Sequence, residues 1–212
     1  MSNDDWVTVA NSKKKKEYKK PSNQSWSDST QNIPKKNDNE AKSLSIENKD
    51  NYLNDTWVLW FHDMKNPDWT LNGYQQLFTF NTVEDFWRLY NNVTDLTNGM
   101  YYLMRKDIPP IWDDPKNING GAWTFKVDKR DLNKVWEDLS CYCVGETICE
   151  HPETIVGVSI SPKIRNATVR VWTTNTDQSV NHFKNLTKDT QTSNTIINFN
   201  EARFTPNKQA SI

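Results

Sequence analysis

The sequence predicts an α+β domain in which an antiparallel β-sheet carries its helices on one face. Short runs of alternating apolar and aromatic residues, typical of strands, recur from about residue 52 onward. After each pair of these runs comes one segment whose apolar residues recur at helical spacing. Several of the 10 tryptophans also lie beside charged or turn-forming residues between the strands. A hydrophobic core seldom needs tryptophan there, so the loops at the rim of the sheet are candidates to hold a ligand.

Residues 1–51 are predicted to be a disordered, mildly basic tail. This segment has no glycine, is dense in Asn, Ser and Lys, and contains a run of four lysines at residues 13–16. Such a composition cannot bury enough apolar surface to offset the chain entropy that folding costs. The folded domain is therefore expected at residues 52–212.

The first part of the domain predicts two strands and a helix. The strands are expected at residues 56–62 and 74–80, and the first has apolar or aromatic residues on both sides, so both faces should be covered. Thr82 precedes Asp85 by three residues, a capping pattern that starts a helix. Apolar residues then recur at helical spacing: Val83, Phe86, Trp87 and Tyr90.

The second part predicts strands at residues 101–104 and 123–127, separated by a long loop rich in proline and glycine. A second helix is expected at residues 128–144, ending at Gly145, with one apolar stripe: Leu132, Val135, Trp136, Leu139 and Cys143. Residues 154–161 and 168–174 predict a hairpin around Asn166, a residue that tolerates left-handed turns. A third helix from about Asp177 and a last strand near residues 195–200 complete the prediction.

Charge and hydropathy exclude some classes of function. The net charge is -1, whereas a surface that grips a nucleic-acid duplex needs a large basic excess. A pocket for a single nucleotide remains compatible with this charge. No apolar run is long enough to cross a bilayer and no signal-peptide core precedes the domain. We therefore expect a protein of the cytoplasm or nucleus without a membrane partner.

Two tryptophans are the strongest candidates for ligand contacts. Trp69 lies between Asp68 and Thr70 in a segment without periodicity, and Trp112 follows two prolines and precedes two aspartates. Two indole faces and a carboxylate suit a flat, positively charged aromatic ligand such as a nucleotide base. Core packing is expected for most other tryptophans, whereas Trp172 fits either a ligand contact or packing within the sheet.

Six ordered blocks of sequence resemble the messenger-RNA cap-binding translation initiation factor 4E family. They are WVLWF at 57–61, TVEDFWRLY at 82–90, PIWDD at 110–114, GGAW at 120–123, GE at 145–146 and WTT at 172–174. The resemblance spans about residues 55–200. It implies a curved antiparallel sheet with about three helices on the convex face and the cap on the concave side.

The resemblance also implies the roles of particular residues. Trp69 and Trp112 would sandwich the 7-methylguanine base, and Asp113 would accept hydrogen bonds from its edge. Lys163 and Arg165 would bind the phosphates, and Trp172 would lie near the methyl group. The family binds without catalysis, so no catalytic residue, cofactor or metal is expected.

Three positions depart from the family pattern on the cap side. The carboxylate is usually Glu, and Asp113 is one methylene shorter. Thr168 stands where the family has a third basic residue, and Ala122 stands where an arginine is frequent. Arg170 lies on the Trp172 side of its strand and is a candidate to compensate. The resemblance therefore implies cap binding with a reduced phosphate contribution.

The family's partner-binding surface maps to Val83, Trp87 and Asp138. The first helix has a wider apolar band than one core contact requires, which favours a docking site for an amphipathic partner helix. The implied partners are capped mRNA and a scaffold initiation factor or a helix like that of 4E-binding proteins, and a monomer is expected. Glu137 and Cys141 replace common leucines, so a repressor or decoy for initiation partners remains an alternative to a factor that promotes initiation.

A zinc-dependent nucleotide enzyme is a more distant alternative. Cys141, Cys143, Cys149 and the nearby His151 superficially resemble the metal-binding elements of zinc deaminases. However, their order differs, and no Cys-x-x-Cys motif is present. Two residues apart on a helix, Cys141 and Cys143 would also point about 160° apart, which disfavours a shared metal.

Overall fold

The computed structural model describes residues 50–93, 95–176 and 202–208. The predicted tail, apart from its last two residues, lies outside the described residues. The third helix and the strand predicted at residues 195–200 also lie outside them. The described residues form seven strands, two α-helices and three short 3-10 helices.

All six strands and both helices predicted within the described residues are present. The strands are β1 (Tyr52–His62), β2 (Tyr74–Thr82), β3 (Met100–Arg105), β4 (Gly121–Asp128), β5 (Ile155–Pro162), β6 (Asn166–Thr173) and β7 (Arg203–Pro206). The helices are α1 (Val83–Asn92) and α2 (Leu132–Val144), and the 3-10 helices are Leu71–Gly73, Lys129–Asp131 and Pro152–Thr154. The sequence did not predict β7. The Thr82 side chain caps α1 by accepting from the backbone N–H of Asp85 at 3.2 Å, as its spacing predicts.

The strands form one curved antiparallel sheet in the order β2-β1-β3-β5-β6-β4-β7. The pairing of β1 with β2 shifts register twice, between Tyr52 and Trp57 and between Leu59 and Trp60. Such bulges bend a strand and increase its twist. The α+β class with an antiparallel sheet is confirmed.

The face of the sheet that packs against α1 and α2, here called the helix face, holds the main hydrophobic core. Strand alternation sends Val169 and Val171 of β6 to this face, both with no exposed surface. Phe86 and Leu89 of α1 pack into the same core. The predicted stripe of α2 is buried along its whole length: Leu132, Val135, Trp136, Leu139 and Cys143.

The opposite face, here called the open face, carries a second apolar cluster. It consists of Val58, Trp60, Tyr102, Met104, Val156 and Trp172. The strand register places a row of side chains across this face from β1 to β4: Trp60, Tyr102, Ser159, Arg170 and Thr124. The two-sided apolar pattern of β1 therefore reflects a sheet with both faces covered in its centre, as the sequence predicts.

Arg105, the last residue of β3, joins four segments at the edge of the helix-face core. Its guanidinium pairs with Asp55 at 2.6 Å and Glu146 at 2.9 Å. It also donates to the backbone carbonyls of Ile155 at 2.8 Å and Pro152 at 3.0 Å. Because the charge is buried yet fully engaged, this cluster fixes β1, the end of α2 and the start of β5 relative to β3.

One turn differs from the prediction, and another adds a detail that the sequence did not specify. Asn166 does not adopt a left-handed conformation; it starts β6, and its carbonyl accepts from Lys163 N at 2.7 Å. Gly145 ends α2, as predicted, at φ -81°, and the residue after it, Glu146, is left-handed at φ 54°. The contacts of the Glu146 carboxylate with Arg105 and with Asn54, at 2.9 Å each, offset the strain of that backbone conformation.

Candidate ligand site on the open face

Trp69 lies in a loop after β1 whose turns are held by hydrogen bonds. The Asp68 carboxylate accepts from the Thr70 hydroxyl at 2.7 Å and from the Thr70 N–H at 2.8 Å. These bonds lower the pKa of Asp68, so the carboxylate stays charged and keeps the turn. Asn66 Oδ1 accepts from Asp68 N at 3.0 Å. A side chain at Gly73 would place Cβ 1.8 Å from the Asp68 carbonyl, so only glycine allows this approach.

The Trp69 indole stacks on His62, with ring centroids 4.3 Å apart and planes 10° from parallel. His62 is fully buried, and its Nε2 lies 3.0 Å from the carbonyl oxygen of Asp68. Because a carbonyl can only accept, Nε2 carries the proton in this contact. Trp69 remains 51% exposed. One indole face is therefore backed by protein, and the other is accessible to a ligand.

A continuous chain of ring contacts runs from Trp69 to the middle of the open face. His62 contacts Tyr74 at 4.7 Å, Tyr74 contacts Tyr102 at 5.4 Å, and Tyr102 contacts Trp172 at 6.3 Å between centroids. We call these five residues the aromatic chain. Its members come from β1, β2, β3, β6 and the loop after β1, so the tertiary fold alone brings them together.

Trp172 lies at the inner end of the aromatic chain. Only 6% of its surface is exposed, and its Nε1–H donates to the Ser159 hydroxyl at 2.9 Å. It pairs across the sheet with Ala122 of β4 and Gly157 of β5. Because these two neighbours have little or no side chain, the Trp172 indole forms the surface of the open face between them.

Trp112 lies in a loop held by one buried amide. The Asn117 side chain, 1% exposed, donates to the carbonyls of Pro109 and Ile111 at 2.8 Å each. The backbone carbonyl of Asn117 accepts from the Asn207 side chain at 2.9 Å. Trp112, immediately after Ile111, is 54% exposed. The loop therefore presents an indole to solvent on a backbone that is fixed from beneath.

Substituting Asn117→Asp is expected to lower the free energy of unfolding by about 1–3 kcal/mol, because a carboxylate would face two carbonyl oxygens without donors. Urea unfolding measures the difference. Asn119→Asp is the matched control, since Asn119 lies exposed in the same loop. Equal stability of the two variants would contradict a supporting role for Asn117.

The charge of Asp113 acts on Tyr74 of the aromatic chain. Burial raises the pKa of Tyr74 well above its usual range, and the neighbouring Tyr102 and the negative charge of Asp113 raise it further. The charge of Asp113 therefore acts on the Tyr74 hydroxyl. Tyr74 also contacts His62, which backs Trp69, so the charge of Asp113 reaches the aromatic chain.

The basic candidates lie on β6 and in the turn between β5 and β6. Arg170 is half-buried on the open face between Ser159 and Thr124. Burial raises the pKa of Tyr102, and the positive charge of Arg170 opposes that shift, which places Arg170 near the aromatic chain. No carboxylate within the described residues forms an ion pair with Arg170. Lys163 and Arg165 are exposed at the tip of the β5–β6 hairpin.

The residues assigned to partner binding lie on the helices. Val83 and Trp87 of α1 are 37% and 44% exposed, while their neighbours Phe86 and Leu89 are buried in the helix-face core. On α2, Asp138 forms an ion pair with Lys134. An exposed apolar pair thus lies on the side of the sheet opposite to the aromatic chain.

The three cysteines are free thiols, two buried and one half-buried. Burial raises the pKa of Cys141 to about 11 and that of Cys143 to about 12, and it also raises the pKa of Cys149. Zinc binds the thiolate form, which these shifts disfavour. Across the described residues, no group of three His, Cys, Asp or Glu side chains is placed to hold a metal ion. In the same residues, no helix has the length and hydropathy to cross a bilayer.

The sequence interpretation missed His62 and Asn117. His62 continues the alternation of Trp60 on the open-face side of β1, so its orientation was readable from the sequence, although its stack on Trp69 was not. Asn117 carried no signal, because asparagine is frequent throughout the chain and only burial distinguishes this one.

Comparisons with known proteins identify the family. The family model "Eukaryotic initiation factor 4E" matches residues 52–211. The chain is 34% identical over 131 residues to eukaryotic translation initiation factor 4E of Xenopus laevis, covering 58% of this chain and 61% of that protein. The chain thus aligns with less than two thirds of that relative's length.

Two solved structures share the fold. Ascaris suum eIF4E-3, solved with an m7G cap, is 27% identical with a TM-score of 0.65, covering 77% of this chain and 95% of that chain. C. elegans eIF4E-3, solved with the 4E-binding protein Mextli and a cap analog, is also 27% identical with a TM-score of 0.65, covering 74% and 93%. Together with the family-model match, these similarities show that the chain belongs to the eukaryotic initiation factor 4E family.

Proposed function

We propose that this chain binds the 7-methylguanosine cap of mRNA, with the methylated base between Trp69 and Trp112. The observation that carries the proposal is that two half-exposed indoles are held in hydrogen-bonded loops, one stacked on His62 and the other directly before Asp113, whose charge acts on Tyr74 of the aromatic chain. Methylation gives guanine a positive charge, and a cation over an indole face is attracted by the ring's electron density. The similar Ascaris and C. elegans proteins were solved with caps bound, which supports the same ligand class here.

A titration of intrinsic tryptophan fluorescence tests this proposal. Cap analogue carrying the 7-methyl group should quench the emission at far lower concentration than GTP, because only the methylated base is cationic. Retention on an immobilised 7-methylguanosine resin, with elution by free cap but not GTP, is the second measurement. Equal binding of both nucleotides would overturn the proposal. Binding of neither would overturn it too and would favour a decoy that binds only initiation partners.

Asp113 is proposed to read the guanine edge, which presents N–H donors to a carboxylate. Substituting Asp113→Asn replaces one acceptor oxygen with a donor, and cap affinity should fall by roughly 10- to 100-fold. Asp114→Asn is the matched control, since its side chain oxygen accepts from Lys116 N at 2.9 Å and an amide oxygen can do the same. Equal affinities of the two variants in the fluorescence titration would contradict the assignment.

The phosphates are proposed to lie along β5 and β6. Lys163 and Arg165 are exposed at the hairpin tip and, within the described residues, their side chains form no ion pair. Arg170 lies further along β6 on the same face as Thr168, two residues before it. The Arg170 guanidinium therefore lies close to Thr168, the position at which the family usually has a basic residue. Arg170 is thus proposed to make part of the phosphate contact.

The exposed pair Val83 and Trp87 is proposed to receive an amphipathic partner helix. With the cap on the open face and the partner on α1, both can bind at once, and the chain would recruit capped mRNA to the initiation machinery. The Mextli complex of the C. elegans protein supports a partner of this kind. Residues 52–212 are proposed as the domain that carries both sites.

A further inference from the structure

We propose that His62 is a positioning residue that holds the Trp69 indole in the orientation that receives the ligand. This inference rests on the proposed cap binding and assigns a new role within that site. His62 ends β1, where it pairs with Tyr74 of β2 and Met100 of β3. A side chain anchored between two neighbouring strands is a rigid base for a ring that lies in a loop.

The stack with Trp69 is close and nearly parallel, at 4.3 Å and 10°. The imidazole therefore covers one indole face and leaves the other for the base. Without a flat ring behind it, the half-exposed indole would rotate among several rotamers in the free protein. Binding would then have to order that side chain, which weakens affinity.

A second contact ties His62 to the backbone beside Trp69. Its Nε2–H donates at 3.0 Å to the carbonyl oxygen of Asp68, the residue that precedes the indole. His62 thus holds Trp69 through both the ring and the loop backbone.

The other ring nitrogen indicates that this histidine is not optimised for stability alone. His62 Nδ1 is buried and has no hydrogen-bond partner among the described residues. A buried polar atom without a partner destabilises a fold, and a phenylalanine at this place would avoid that penalty. The hydrogen bond to the Asp68 carbonyl is a contact that phenylalanine could not make.

Two substitutions distinguish the effect of a flat ring behind Trp69 from the effect of filling the same space. His62→Phe keeps a plane behind Trp69, and His62→Leu fills the space without one; both lose the hydrogen bond to Asp68. Cap affinity of His62→Phe should stay within about threefold of the wild-type chain, and that of His62→Leu should fall by about tenfold. Phe61→Leu is the matched control, because Phe61 is the preceding residue and packs towards the helix face.

A spectroscopic measurement reads Trp69 directly. In the full chain labelled with 5-fluorotryptophan, Trp69→Phe assigns the ¹⁹F resonance of residue 69. That resonance should keep a shift specific to the stacked ring in His62→Phe and move to the position of a solvent-exposed indole in His62→Leu. A general loss of structure would move all the tryptophan resonances, whereas loss of positioning moves one.

Wild-type affinity in His62→Leu, affinity in His62→Phe as weak as in His62→Leu, or an unchanged residue 69 resonance would each overturn the inference. Thermal unfolding is measured first; if leucine prevents folding, His62→Met takes its place, since methionine adapts to irregular spaces. If the wild-type chain does not prefer methylated cap over GTP, the proposed function fails. The ¹⁹F comparison alone then decides whether His62 orients Trp69.

Discussion

Replacing Trp69 or Trp112 with alanine should weaken cap binding by roughly a hundredfold or more while the thermal transition hardly moves. Each indole would contribute base stacking and attraction to the positive charge, and neither contribution survives in alanine. The stability of the fold should change by less than about 1 kcal/mol, because both side chains are half-exposed and lie in loops outside the two hydrophobic clusters. These variants lose a tryptophan whose emission the fluorescence titration would record, so calorimetric titration is used to measure the affinity.

Trp87→Ala is the matched control for both variants. Its indole is 44% exposed, comparable with the others, but it lies on α1 at the opposite side of the sheet. This variant should bind cap normally and lose affinity for an amphipathic partner helix, whereas Trp69→Ala and Trp112→Ala should do the reverse. A collapse of folding in either loop variant, or equal loss of cap affinity in all three, would contradict the proposed sandwich.

Substituting Arg105→Met should lower the free energy of unfolding by about 3 kcal/mol. Removal of the guanidinium leaves Asp55 and Glu146 without their cation and two carbonyls without a donor. It also removes a cation from above the Trp57 ring, 5.0 Å from its centroid. We expect a loss at the lower end of the range that is typical when one partner of a buried ion pair is removed. The reason is that the side chain of Asp55 is 40% exposed, so water can solvate it.

Arg88→Met is the control, because it makes the same chemical change at the surface. Arg88 pairs with Asp85 on α1 while 55% of its side chain is exposed, so its loss should cost less than about 1 kcal/mol. Arg105→Lys should fall between the two, since one ammonium keeps the charge but cannot serve both carboxylates and both carbonyls. Urea unfolding of the three variants decides; equal costs at positions 105 and 88 would mean that the buried cluster contributes no more than a surface pair.

Local patterns were sufficient to predict six of the seven strands and both α-helices of the described residues. The start of α1 follows from Thr82 and Asp85, because a cap depends only on residues within one turn. The alternation along β1 likewise showed that both of its faces are covered. Local patterns gave no signal where a tertiary contact decided the backbone. Glu146, rather than Gly145, takes the left-handed conformation, and its carboxylate binds Arg105.

By itself the sequence determined the fold class, the two exposed loop tryptophans and the family, because these depend on residue order and local periodicity. Tertiary structure alone decided what lies behind those tryptophans. His62 and Asn117 act on Trp69 and the Trp112 loop through contacts across strands and loops, and Arg105 contacts residues 50 positions before it and 50 positions after it. Such contacts leave no local pattern, since burial and stacking arise only when distant parts of the chain pack together.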